Sequence, residues 1–110
     1  MYLPKSDIFT SLESLGYSVS QIQPTEFNEL PAITFNIINN SINPNLDNEI
    51  LSQEIEVAID IWAEDSVTAS NILSQVEEIM RNNQYNMSYS NDVPNIGNLY
   101  HIYSRFTKLI

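Results

Sequence analysis

Three carboxylates, Glu54, Glu56 and Asp60, recur at even spacing, and Trp62 closes the row. A pair of carboxylates flanking a bond is the equipment of glycoside hydrolysis, so this row is the first place to look for acid–base chemistry. Alternation along an extended segment puts all of them on one face with no opposing wall. The wet face of a strand is therefore the expected reading. His101 is the one histidine, at the parity of Leu99, Tyr103 and Arg105. It reads as a surface or edge residue rather than a general base. The absence of cysteine removes thiolate nucleophiles, thiolate metal sites and disulfides together. Two glycines, Gly16 and Gly97, cannot assemble a phosphate-cradling loop.

Counted from Asn43, the residues Asn45, Asp47, Glu49 and Glu54 fall on positions 3, 5, 7 and 12 of a calcium loop. Asn48 stands where that loop needs glycine for its sharp turn, and Pro44 follows the first ligand position. A solvated loop is expected, and neither a metal nor a cofactor. Tyr85, Tyr89, Tyr100 and Tyr103 beside Phe106 have the composition of a base-stacking platform. Without a basic groove they are better explained as cross-strand aromatic pairs. Trp62 suits a core, interface or stacking role, and burial under the second helix is expected.

The elements that must position these residues follow from periodicity. Ser6 is a candidate N-cap for a helix bearing Ile8, Phe9, Leu12 and Leu15, ended by Gly16. Residues 17–23 fit a short strand, and the β-branched, aromatic run 32–38 a second. Residues 39–49 are dense in Asn, Ser, Pro and Asp and read as a long loop. Ile55, Val57, Ile59 and Ile61 then alternate with the acidic row, the period of a half-buried strand. Asp65 or Ser66 caps a second helix carrying Leu73, Val76 and Ile79. Tyr85, Met87 and Tyr89, a turn over 92–98, and the alternating run 99–107 read as a hairpin. The order α, β, β, β, α, β, β predicts a single α+β domain over 1–110: a mostly antiparallel sheet of four to five strands with two helices on one face. Its core is expected from Phe9, Leu12, Ile33, Phe35, Ile55, Val57, Ile59, Ile61, Leu73, Val76 and Ile79.

The chain has 110 residues with 4 Lys+Arg against 14 Asp+Glu, a net charge of −10. At 43% hydrophobic residues it is expected to fold rather than form an acidic tail. Four scattered cations, Lys5, Arg81, Arg105 and Lys108, give nucleic acid no phosphate-neutralising patch. No apolar run approaches the ~20 residues of a membrane span. The opening Met-Tyr-Leu-Pro-Lys-Ser-Asp lacks the apolar stretch of a secretory signal, so the chain is expected to stay where it is made. An interaction or structural role is favoured by subtraction.

Several segments together resemble the tail-completion proteins of long-tailed bacteriophages, the tail-terminator and head-to-tail joining proteins. They are the short N-terminal helix, Leu30-Pro31-Ala32-Ile33-Thr34-Phe35, the polar loop, Glu54 to Ala63 with its Asp-Ile-Trp-Ala ending before a helix, and Tyr100-His101-Ile102-Tyr103-Ser104-Arg105-Phe106. The resemblance implies a non-enzymatic virion protein, made in the host bacterial cytoplasm. It would assemble as a ring, typically a hexamer, at the head-proximal end of the tail tube. Its implied partners are its own copies, the tail tube protein and a head connector or stopper protein, and DNA would pass through the lumen without specific binding. On this reading Glu54, Glu56 and Asp60 are candidate lumen lining. Asn43, Asn45, Asp47, Asn95 and Asn98 are candidate subunit or tube contacts. The alternatives are another connector-zone protein such as head closure, or a small dimeric domain binding a ligand beside Trp62 and Tyr100.

Overall fold

The structure, a computed structural model, describes residues 3–21, 30–44, 50–94 and 99–110. The first helix, α1, is Pro4–Glu13, one turn earlier than Ser6 suggests, with Leu3 at the N-cap position. Proline's fixed φ suits a first helical turn, where its missing N–H has no intrahelical partner to lose. Ile8 and Leu12, one turn apart, are buried. Phe9, expected in the core, is 37% exposed. It sits about 100° around the helix from Ile8, and its ring meets Phe35 at 6.4 Å on the margin of the core. Gly16, at φ +89°, turns the chain after the helix.

Five strands follow: β1 Ser18–Gln21, β2 Ala32–Pro44, β3 Ile50–Ala63, then after the second helix β4 Asn86–Val93 and β5 Tyr100–Leu109. They form one sheet in the order β1-β2-β3-β5-β4. Every neighbouring pair is antiparallel except β1 with β2, which are parallel. The expected loop over 39–49 is largely strand. Residues 39–44 pair with β3, and only 45–49 lie outside the described residues.

The second helix, α2, is Ser66–Asn82, capped by Asp65. Its buried stripe, Ala69, Ile72, Val76 and Met80, shares one core with Ile8 and Leu12 of α1 and with Ile33, Phe35, Ile55, Val57, Ile59 and Ile61. Leu73 and Ile79 flank that core and are partly buried. Both helices therefore lie on the face of β3 that carries the isoleucines, and the architecture is α+β. At roughly 3.3 Å per residue a 14-residue strand spans about 46 Å, and β3 accounts for most of the longest dimension of a 54 × 25 × 22 Å molecule.

Candidate functional site: the open face of the sheet

The face of the sheet away from the helices carries Glu54, Glu56, Ala58, Asp60 and Trp62 from β3. Register sets His101 opposite Trp62, Tyr103 opposite Asp60, Arg105 opposite Ala58 and Thr107 opposite Glu56. From the other side Thr34 of β2 lies opposite Asp60 and Ala32 opposite Trp62. The adjacency of β3 and β5 thus gathers on one face Glu54, Glu56 and Asp60 with His101, Tyr103 and Arg105, which alternation had placed on two separate strands.

Trp62 is buried, at 3% exposure, on the side opposite α2 rather than beneath it. Its parity with Asp60, not with Ile61, decides this. The indole Nε1–H donates to Thr34 Oγ1 at 3.1 Å, and its ring stacks on the His101 imidazole with centroids 3.7 Å apart and planes 12° from parallel. His101 is not at an edge, because β5 is an inner strand, and its side chain is mostly covered, keeping 11% exposure. Its Nε2 lies 2.6 Å from Asp60 Oδ1, a diagonal cross-strand pair of the kind that stabilises sheets. A carboxylate that orients an imidazole is half of an acid–base device. Here the indole covers one ring face and Asp60 takes Nε2, so the trio's evident work is packing between β3 and β5, tied to β2 through Thr34.

The acidic row is not a uniform wet face. Glu54 is exposed, Glu56 Oε1 sits 3.4 Å from Arg105 Nε, and Asp60 is held by His101. The Tyr103 hydroxyl accepts from Arg105 at 3.1 Å. That hydrogen bond first, and Glu56 after it, hold the guanidinium above its ordinary value. Tyr89 meets Tyr103 edge-on at 6.1 Å, a cross-strand tyrosine pair of the kind expected from the sequence. Tyr85 is buried in the core with the Lys108 ammonium 5.2 Å from its ring, and Phe106 lies in the same core. Tyr100 is exposed.

No protein-family model and no curated protein matches this chain.

The remaining candidate positions separate. Asn43 is near the end of β2, exposed, and donates through its side-chain amide to Ser52 Oγ at 3.1 Å. Asn45, Asp47, Glu49, Asn95 and Asn98 lie outside the described residues. Among the described residues no three His, Asp or Glu side chains gather as metal ligands. A hollow of about 360 Å³ opens between the first turns of α2 and the β4–β5 end, lined by Ser66, Ser70, Asp92, Tyr100 and His101 among others. Trp62, expected beside Tyr100 in a ligand pocket, is not among its described lining residues. Sequence reasoning missed the Trp62–His101–Asp60 trio. The parities were readable, but the strand order that joins them was not.

Proposed function

We propose that this chain is a non-enzymatic virion protein that completes the tail of a long-tailed bacteriophage or prophage. It would form a ring at the head-proximal end of the tube, ending tube polymerisation and joining the head connector. The observation that carries this reading is the β2–β3 hairpin. β1 covers only Ala32 to Phe35 of β2, and residues 36–44 run on with exposed Asn36, Ile38, Asn40, Ser41, Ile42 and Asn43. Ordering a backbone costs about 1–2 kcal/mol per residue. While the β3 half of the arm buries Gln53, Ile55 and Val57, its β2 half recovers little of that cost by burial among the described residues. An arm of this kind is suited to contact with another molecule. Of the segments that bear the family resemblance, Ala32 to Phe35, Glu54 to Ala63 and Tyr100 to Phe106 lie in β2, β3 and β5 of the sheet, beside the N-terminal helix and the polar stretch after β2 begins.

The net charge of −10 fits a wall past which DNA moves without adhering. In that arrangement Glu54, and more weakly the paired Glu56 and Asp60, would face the lumen.

The deciding experiment is electron microscopy of lysates from the parent phage with this gene deleted, beside complemented lysates. Tails of uncontrolled length would establish termination, and tails accumulating apart from filled heads would establish joining or head closure. Normal infectious particles would sink the reading. The hollow beside Tyr100 supports a second reading, a small-ligand domain, which a ligand-dependent rise in melting temperature on screening polar metabolites would favour.

A further inference from the structure

Two strand edges, that of β2 beyond the residues paired with β1 and the outer side of β4, differ from the rest of the molecule in charge. β2 has no charged side chain in its 13 residues, and β4 has one, Asp92, in 8. Between them, β3 and β5 carry Glu54, Glu56, Asp60, Arg105 and Lys108. Edge strands of soluble proteins are commonly protected by lysine, inward charge or proline. β2 has its one proline at its last position, and Ile38 and Ile42 are 41% and 37% exposed in the part that β1 leaves uncovered. That part is nine residues long, 36–44, against eight in β4. Among the described residues no strand pairs with either outer side.

A chain of charge −10 repels its own copies. Contact between copies is least opposed where carboxylates are fewest, and the two bare edges are those places. Each offers a row of backbone N–H and C=O groups that an added strand satisfies. Both are rich in exposed Asn and Ser side chains, which hydrogen-bond across strands without adding charge.

We infer that the uncovered edge of β2 receives β4 of a second copy of this chain, making one sheet continuous across the subunit boundary. This rests on the ring-forming reading above. The two edges lie on opposite sides of the sheet, so the contact is heterologous: each copy uses one edge to give and the other to receive, and rotation closes the series into a ring.

The absence of cysteine makes the test direct. Ser41→Cys and Asn91→Cys each introduce one exposed thiol, and both positions face the side of the sheet away from the helices. The two variants are mixed at high protein concentration and high salt with a short bis-maleimide. The expected product is the mixed pair in excess over either homodimer, and the double variant gives a ladder of oligomers. Homodimers alone, or no cross-link, would overturn the seam. In parallel, Ile42→Lys is expected to weaken self-association at least tenfold with an unchanged circular dichroism spectrum; unchanged association also overturns it. The function is read separately. A tail defect in the deletion lysate without the mixed cross-link removes the seam alone, whereas normal particles with the mixed cross-link remove the tail role and support the seam.

Discussion

At the level of single residues, the two ends of α2 show how local chemistry sets the limits of an element. Asp65 accepts from the backbone N–H of Thr68 at 2.7 Å and from its hydroxyl at 2.9 Å. Those bonds, the backbone one first, hold its carboxyl below the ordinary value. A carboxyl depressed in the folded state adds stability above its unfolded pKa and loses it as pH falls through the folded one. Asp65→Ala should therefore lower the melting temperature by a few degrees at neutral pH, and the gap to the parent should close in strong acid. Thermal melts of both proteins across that range test it; a gap independent of pH would mean that the cap acts without its charge. At the other end, Gln84 takes φ +69°. The Gln84 N–H donates to the Arg81 carbonyl at 2.9 Å and the Tyr85 N–H to that of Met80 at 2.9 Å, the two bonds of a Schellman motif. A non-glycine residue in that conformation costs about 1–2 kcal/mol. Gln84→Gly should stabilise the fold by about 1 kcal/mol, measured by denaturant titration, and a destabilisation would show that the Gln84 side chain contributes more than its backbone costs.

Among the elements, β2 rewards the closest physical reading. Ile37 pairs with Val57 but Asn39 with Glu56, so Ile38 is an extra residue opposite a single step of β3. This bulge exchanges the faces of everything after it, because side chains alternate with a period of two. Deleting Ile38 would bring Ile37 and Asn39 into consecutive pairing with Val57 and Glu56, a regular ladder in which every other pair of β2 keeps its partner. Because Ile38 is also 41% exposed, the expected change stays within the ~0.5 kcal/mol of ordinary surface changes. A melting temperature several degrees below the parent's would mean that the bulge itself is needed to hold the two halves of β2 against β3. The same bulge explains what could be read from sequence. Ile55, Val57, Ile59 and Ile61 announced the buried face of β3 because their alternation is unbroken, and Asp65 announced α2 by its position before a helical stripe. Residues 39–44 did not announce a strand, since Asn, Ser and Pro have turn chemistry and the bulge breaks the alternation. Pairing with β3 overrides both signals. His101 was misplaced for another reason: burial depends on which strands flank β5, and adjacency to β3 is a long-range fact that no window around residue 101 contains.

For the whole molecule the governing quantity is charge. Bringing several copies of a −10 chain into one ring places many like charges within tens of ångströms. At physiological ionic strength the Debye length is about 8 Å, so carboxylates near a seam repel and more distant ones are largely screened. The strand-edge contact proposed above has few charges of its own, but Glu54 lies opposite Ser41 across β2 and β3, close to the seam. Self-association should therefore tighten as salt rises, and divalent cations should promote it at lower ionic strength than monovalent ones. Sedimentation velocity over a salt series gives the direction. Glu54→Gln should flatten the salt dependence, whereas Glu78→Gln, on the exposed side of α2, should leave it nearly unchanged. Association that is strongest at low salt would instead require complementary charge across the interface. Arg105, 3.4 Å from Glu56 within its own chain, would then have to exchange that partner for a carboxylate of the neighbouring copy, and the interface would lie on the open face of the sheet rather than along its edges.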